Sequence, residues 1–257
     1  MTKSLAGKVA IVTGVSAERG IGRATARKLA GLGADLVLAD LDLASGLQAL
    51  ADEIVAAGGR SLAVAVDVRD VAQIEACVEA ACQTFGGIDI LVNNAGTTAG
   101  AKPFLEISDA DWDLSYAVNL RGPAQFCRAV IPAMIRRGGG AIVNNASLAG
   151  AGGVPGLAPY AAAKHGVVGL TRSVALECAE EGIRVNAILT GNADTPLYRS
   201  LLGVGADAPR DSLDAPNPSA RVADPDEIAA FVAWLLSSEA SFVTGAALAI
   251  DGGFGAT

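Results

Sequence analysis

Residues Val9–Ala26 read VAIVTGVSAERGIGRATA. The opening VAIVT is almost wholly apolar and rich in β-branched side chains, the pattern of a strand buried on both faces. From Arg23 to Leu32 the chain turns amphipathic and helical. Between the two, Gly14, Gly20 and Gly22 punctuate a strand-to-helix turn. Glycines at such a turn let the backbone approach a pyrophosphate, and the exposed N–H groups at the start of the helix hold its charge. Glycine turns without ligands are common, so the rest of the chain has to support that reading.

Further along, short apolar runs recur at Asp35–Asp40, Ser61–Val66, Ile88–Asn93, Ala141–Ala146, Arg184–Leu189 and Ala247–Ile250. Helical patterns lie between them at Ala44–Ala57, Val71–Phe85, Trp112–Arg137 and Pro159–Glu181. Strands alternating with helices imply parallel pairing through right-handed crossovers, with helices on both faces of one sheet. The second strand ends in Asp40, 18 residues after Gly22. A carboxylate there can hydrogen-bond both ribose hydroxyls of NAD. It faces a 2′-phosphate with like charge, and Leu41 follows where a basic residue would favour NADP.

The 257 residues are 51% apolar and 18% charged, with 31 glycines and only 4% aromatics. A chain of that kind buries a large core, and disorder is excluded. No stretch of about 18 residues lacks charge and turn formers, so no membrane span is expected. The net charge of −8 disfavours nucleic acid as a partner. Near the start, Gly7 and Lys8 stand where a signal peptide needs an apolar core, so a cytoplasmic protein is expected. Cys77, Cys82, Cys127 and Cys178 form no CxxC and read as reduced core residues. With one histidine, His165, histidine-based metal chemistry is not expected. Gly191 to Val222 is rich in Asp, Pro, Gly and Ser and reads as a loop of about 191–222 covering a site in a single domain, 1–257.

Tyr160 and Lys164 stand in YAAAK, four residues apart at the start of a helical stretch. That spacing puts both on one helix face, with the ammonium beneath the phenol. A free tyrosine has a pKa of about 10, and a nearby cation is the kind of group that lowers it toward an acid–base role at neutral pH. Ser147, 13 residues earlier, ends the strand AIVNNAS and is placed to donate to a reacting oxygen. YxxxK alone is weak. Its weight comes from following a glycine turn, a strand-end acid and a strand-end serine in that order.

These stretches, with AVDVRD, ILVNNAG, YAVNLRG, GIRVNAI, DTPL and VTGAALAIDGG, make the chain resemble the short-chain dehydrogenase/reductases of about 250 residues, from Lys8 to Phe254. The resemblance implies a Rossmann-type, doubly wound parallel sheet in three layers, α/β/α. It implies hydride transfer between NAD(P) and a carbon bearing a hydroxyl or carbonyl. Asn119, Ser147, Tyr160 and Lys164 are then the catalytic set, with Asn119 binding a water beneath Lys164. Gly14, Gly20, Ile21 and Gly22 hold the pyrophosphate, Asp40 selects NAD, and Asp67 with Val68 holds the adenine. Asn94, Ala95 and Gly96 support the ribose side, and Thr195 holds the carboxamide. A homotetramer is implied.

Two departures matter. The turn from Gly14 to Gly20 is two residues longer than the family's usual form, and Arg19 precedes Gly20 where NADP users often carry a base. NADP therefore stays the second choice, with Arg19 a candidate contact. Thr190-Gly191 also replaces the commoner Pro-Gly, removing a φ restraint at the start of the substrate loop. Two other functions compete: a non-catalytic NAD-binding sensor, and an enoyl reductase acting on a C=C bond. Enoyl reductases of the family space Tyr and Lys wider than YAAAK. Leu148, Val154, Leu157, Leu197, Tyr198, Leu201 and Leu202 are expected to line an apolar pocket for a small alcohol or ketone, with Arg199 the cation most able to receive an anionic one. Trp112 and Trp234 read as core or interface, and His165 as packing or surface.

Overall fold

The computed structural model describes residues 4–41, 43–213 and 215–256, and of Ser45 only the backbone. Residues 1–3 and 257 of the expected domain, and residue 214 of the expected loop, lie outside the described residues.

Seven strands form one sheet: β1 (Val9–Thr13), β2 (Asp35–Asp40), β3 (Ser61–Ala65), β4 (Ile90–Asn93), β5 (Gly140–Asn145), β6 (Ile183–Thr190) and β7 (Ala247–Ile250). Their order is β3-β2-β1-β4-β5-β6-β7, and every pairing is parallel. The helices are α1 (Ile21–Gly31), α2 (Gln48–Ala56), α3 (Val71–Phe85), α4 (Asp109–Tyr116), α5 (Gly122–Arg136), α6 (Ala158–Cys178), α7 (Pro196–Leu201) and α8 (Pro225–Leu236).

The period-2 geometry of the strands divides the core into two layers. Ala10 and Val12 of β1 pack with Leu29 of α1, Leu50 of α2 and Ile228 of α8. Ile11 faces the other way, toward Ile74 of α3 and Phe126 and Met134 of α5. After β1 the chain builds outward through β2 and β3, then returns to the other side of β1 as β4. The crossovers therefore diverge between β1 and β4, and a crevice opens at the carboxyl ends of these strands.

The differences from expectation have local causes. The helix expected over Trp112–Arg137 begins at Asp109, because Ser108 and Asp111 form a reciprocal capping box. It is then interrupted by a π-helical turn, Ala117–Arg121, before α5. Another π-helical turn, Leu43–Leu47, precedes α2. The strand expected from Ile88 starts at Ile90, since Asp89 binds Lys8, the Val9 amide and Arg137 with its carboxylate. Trp112 and Trp234 are not core residues; they are 37% and 38% exposed. His165 is exposed and bonds the Ala161 carbonyl. All four cysteines are free; Cys77, Cys127 and Cys178 are buried and Cys82 is half-buried. Burial pushes the Cys77 thiol up to about 12, so it stays protonated. Among the described residues no helix is long and apolar enough to cross a membrane.

Candidate active site

The crevice is a cleft of about 600 Å³. Gly14, Gly20, Ile21, Asp40, Asp67, Val68, Asn94, Ala95, Gly96, Tyr160, Lys164 and Thr195 all line it, so residues from six separate stretches of sequence meet there. Gly22 sits just behind the lining. A Cβ on Gly22 would stand 2.3 Å from the Gly14 carbonyl oxygen and 2.5 Å from Asn94 Nδ2, so only glycine lets α1 start so close to β1. Gly14 has φ +70, and a Cβ there would stand 2.9 Å from the Ala95 amide. The first turn of α1 has no side-chain cap and no acidic residue, which leaves its N–H groups and dipole directed into the cleft. A bare helix start framed by glycines fits the pyrophosphate of a dinucleotide.

Around that turn the polar groups brace one another. Thr13 Oγ1 accepts from the Asn94 and Ala95 amides, both at 3.0 Å. Asn94 Nδ2 donates to the carbonyls of Thr13 and Gly14, and Asn145 Nδ2 donates to Asn94 Oδ1. Asp40 accepts from the Ser16 amide on one oxygen and the Leu41 amide on the other, each at 2.8 Å. Asp67 is engaged by the backbone and guanidinium of Arg69, which hold its carboxyl below the usual carboxylate range. Arg19 does not line this cleft. It borders the neighbouring hollow, together with Glu18, Asp194, Asp207 and Asp224.

Tyr160 and Lys164 lie on the first turns of α6, with Lys164 Nζ 5.4 Å from the centre of the phenol ring. Lys164 is 4% exposed and donates to the Asn145 carbonyl at 2.7 Å, so β5 fixes its ammonium. Desolvation lowers it to about 8. Desolvation raises the Tyr160 phenol, while a hydrogen bond from Ser147 acts the other way. The chain by itself therefore holds Tyr160 as a neutral phenol rather than a phenolate. Ser147 has φ +84, a region an L residue enters at a cost of about 1–3 kcal/mol. That strain turns its hydroxyl off the end of β5 toward Tyr160.

Asn119 lies in the π-helical turn and is fully buried. Its amide clamps the backbone of Thr97 through both atoms and donates to Ser115. A Cβ on Gly96 would stand 3.1 Å from Asn119 Oδ1 and 3.8 Å from Lys164 Nζ, so Gly96 leaves the amide and ammonium with no side chain between them.

Of the residues expected to line the substrate end, Leu197 does so; Leu148, Val154, Leu157, Tyr198, Leu201 and Leu202 do not. Leu114, Val118 and Pro196 supply apolar wall in their place. Leu114 and Val118 were hidden in the sequence because they read as ordinary faces of one long helix. Asn145 was also missed, although the polar pair closing the apolar run of β5 is a visible signal. Thr195 caps α7, accepting from the Tyr198 amide. Arg199 is committed elsewhere: Nε binds Asp194 at 2.6 Å, and Nη1 binds the carbonyls of Gly205 and Ala208.

A doubly wound sheet, with a bare glycine-framed helix start, a strand-end acid and a Tyr–Lys pair meeting in one cleft and Ser147 bonded to that tyrosine, defines a nicotinamide-dependent oxidoreductase. A family model described as enoyl-(acyl carrier protein) reductase matches residues 14–255. The chain is 39% identical to cyclohexanol dehydrogenase of Acinetobacter sp. (strain SE19), over 99% of this chain and 97% of that protein. It is 43% identical to cis-4-hydroxycyclohexanecarboxylate dehydrogenase of Sinomonas cyclohexanicum, over 99% of both. The crystal structure of levodione reductase superposes with a TM-score of 0.91 at 40% identity, covering 98% of this chain and 99% of that one. The chain belongs to the short-chain dehydrogenase/reductase family.

Proposed function

We propose that the chain interconverts an uncharged secondary alcohol and its ketone, using NAD(H), with Tyr160 as the acid–base group. The meeting of Tyr160 and Lys164 in the cleft, with Ser147 hydrogen-bonded to the phenol, carries the proposal. Bound there, nicotinamide supplies the hydride acceptor or donor and, when oxidised, a positive charge. Ser147 donates to the substrate oxygen and holds it against the phenol. Tyr160 Oη takes the hydroxyl proton during oxidation and returns it during reduction. Lys164, protonated at neutral pH with its ordinary value lowered to about 8, stabilises the phenolate that forms. Asn119 fixes the Thr97 backbone beside Gly96, next to the ammonium.

Asp40 supports NAD over NADP, because its carboxylate is fixed by two backbone amides beside the exposed Leu41. Arg19, the base that could favour NADP, borders a hollow lined by five acids, Glu18, Asp194, Asp207, Asp224 and Asp226. The apolar wall of Leu114, Val118 and Leu197 supports an uncharged substrate, and the commitment of Arg199 to Asp194 removes the obvious receptor for an anion. Two relatives are named for ring alcohols, cyclohexanol and a hydroxycyclohexanecarboxylate, and a third for D-threitol, all small molecules bearing secondary alcohols. Four-residue Tyr–Lys spacing favours carbonyl chemistry over reduction of a C=C bond. Exposed apolar residues at Trp112, Tyr116, Leu176 and Phe242 support a two-fold-symmetric tetramer, which light scattering tests.

The functional test is absorbance at about 340 nm, with NAD and NADP, against cyclohexanol-like alcohols, linear alcohols and matched hydroxy acids. The expected result is at least about tenfold higher kcat/KM with NAD and with neutral substrates. Equal efficiency with NADP, or a tenfold preference for hydroxy acids, refutes the corresponding part.

A further inference from the structure

Arg23 occupies an unfavourable place. It lies in the first turn of α1, where the helix dipole favours anions, and is only 7% exposed. Among the described residues no carboxylate lies within ion-pair distance of it, and its Nε has no hydrogen-bond partner. Its two remaining nitrogens reach two backbone carbonyls: Nη1 donates to Ser16 at 3.2 Å and Nη2 to Gly46 at 3.3 Å. Ser16 belongs to the part of the turn that the two extra residues enlarge. Gly46 belongs to the π-helical turn after β2 and has φ +94. A Cβ on Gly46 would stand 3.0 Å from the Ser16 carbonyl and 3.3 Å from Arg23 Nη1, so glycine there permits the close approach. The guanidinium therefore joins the enlarged turn to the loop that follows Asp40. Ser16 also donates its own amide to Asp40, so the residue that Arg23 holds is the one that orients the carboxylate.

We infer that Arg23 is a specificity-determining residue for the adenine-side ribose: by clamping Ser16 against Gly46 it locks the Asp40 carboxylate toward a 2′-hydroxyl and against a 2′-phosphate. The inference rests on the reading of Asp40 as the acid that selects NAD. Among the described residues the buried cation is fixed to carbonyls rather than to an acid, and it restricts the rotation of Asp40 through Ser16. Arg23 acts on the dinucleotide through Ser16 and Asp40, so it is a positioning residue.

Equilibrium binding of NADH and NADPH, measured by titration calorimetry on the wild type, Arg23→Met, Arg23→Lys and Gly46→Ala, tests this. The expected result for Arg23→Met is NADH binding weaker by about tenfold, with NADPH unchanged or tighter, so that the ratio of dissociation constants contracts. Arg23→Lys should behave like Arg23→Met, because a single ammonium nitrogen does not span the two carbonyls that Nη1 and Nη2 reach separately. Gly46→Ala should contract the ratio by pushing the Ser16 carbonyl and Arg23 Nη1 apart from the loop while keeping the arginine, which keeps the test open if Arg23→Met does not fold. Equal weakening of both dinucleotides, or full rescue by lysine, would mean that Arg23 acts only as a charge near the pyrophosphate, and overturns the inference. A wild type that does not favour NADH overturns the Asp40 reading and the inference with it. A wild-type preference that persists unchanged in Arg23→Met overturns the inference alone.

Discussion

Gly22→Ala isolates the contact that brings α1 to β1. In a helix, alanine normally stabilises by about 0.5–1 kcal/mol relative to glycine. Here its methyl would lie 2.3 Å from the Gly14 carbonyl oxygen and 2.5 Å from Asn94 Nδ2, about 1 Å inside ordinary contact. Both are braced, since Asn94 Nδ2 donates to that carbonyl and to that of Thr13, so neither yields without breaking a hydrogen bond. Overpacking of this kind costs about 1–3 kcal/mol, which exceeds the helical gain. The variant should therefore be less stable by about 1–2 kcal/mol in urea, at unchanged m. Displacing the turn also misplaces amides aimed at the pyrophosphate. Loss of one charge-assisted hydrogen bond, about 1.5–3 kcal/mol, raises the NADH dissociation constant roughly ten- to a hundredfold by fluorescence titration. A variant at least as stable as the wild type, with NADH affinity intact, would refute the reasoning.

Two further predictions concern buried charges. Lys164, lowered to about 8 in the folded cleft from 10.5, binds fewer protons folded than unfolded between those values. Stability should therefore rise with pH between about 8 and 9, by about 1 kcal/mol, in urea titrations of the cofactor-free protein. Above about 9 the buried thiols of Cys77 and Cys127, pushed up to about 12, oppose the rise, and Tyr160 does so above its ordinary value of 10. Lys164→Met should flatten the profile; an unchanged slope would show that Lys164 titrates as an ordinary lysine. Arg199→Ala should lower Tm and raise KM for the alcohol, because Asp194 next to Thr195 is left buried and unpaired. It should leave the ratio of neutral to anionic substrate efficiency unchanged, whereas loss of a hydroxy-acid activity would show that Arg199 receives the substrate.

The parts that were legible in the sequence are those whose signal is local. β1, β2 and β7 match their apolar runs to the residue: Lys8 and Gly14 bound the first, Asp35 and Asp40 are the ends of the second, and Asp251 stops the last. The glycine turn and YAAAK declare themselves by spacing. What stayed hidden depends on distant partners. The start of β4 is set by Asp89, whose carboxylate is bound from Lys8 and Arg137. The break at Asn119 falls within an uninterrupted helical periodicity, and no local residue announces a π turn. Arg23 reads as one more solvated helix cation, and Arg199 as an available one, until folding buries them against carbonyls and Asp194. The strain at Ser147 is equally silent, since serine at a strand end is ordinary until its φ is known.

The account rests most heavily on Tyr160 as the proton-transfer group, and Tyr160→Phe tests it most directly. The substitution keeps the ring against Lys164 and removes only the hydroxyl bonded to Ser147. NADH affinity by fluorescence and turnover of a neutral secondary alcohol at about 340 nm should be measured on the same preparation. The predicted result is turnover below about a tenth of wild type with the NADH dissociation constant within about twofold. Turnover above a tenth, with NADH bound as tightly as before, would remove Tyr160 from the chemistry and contradict the account.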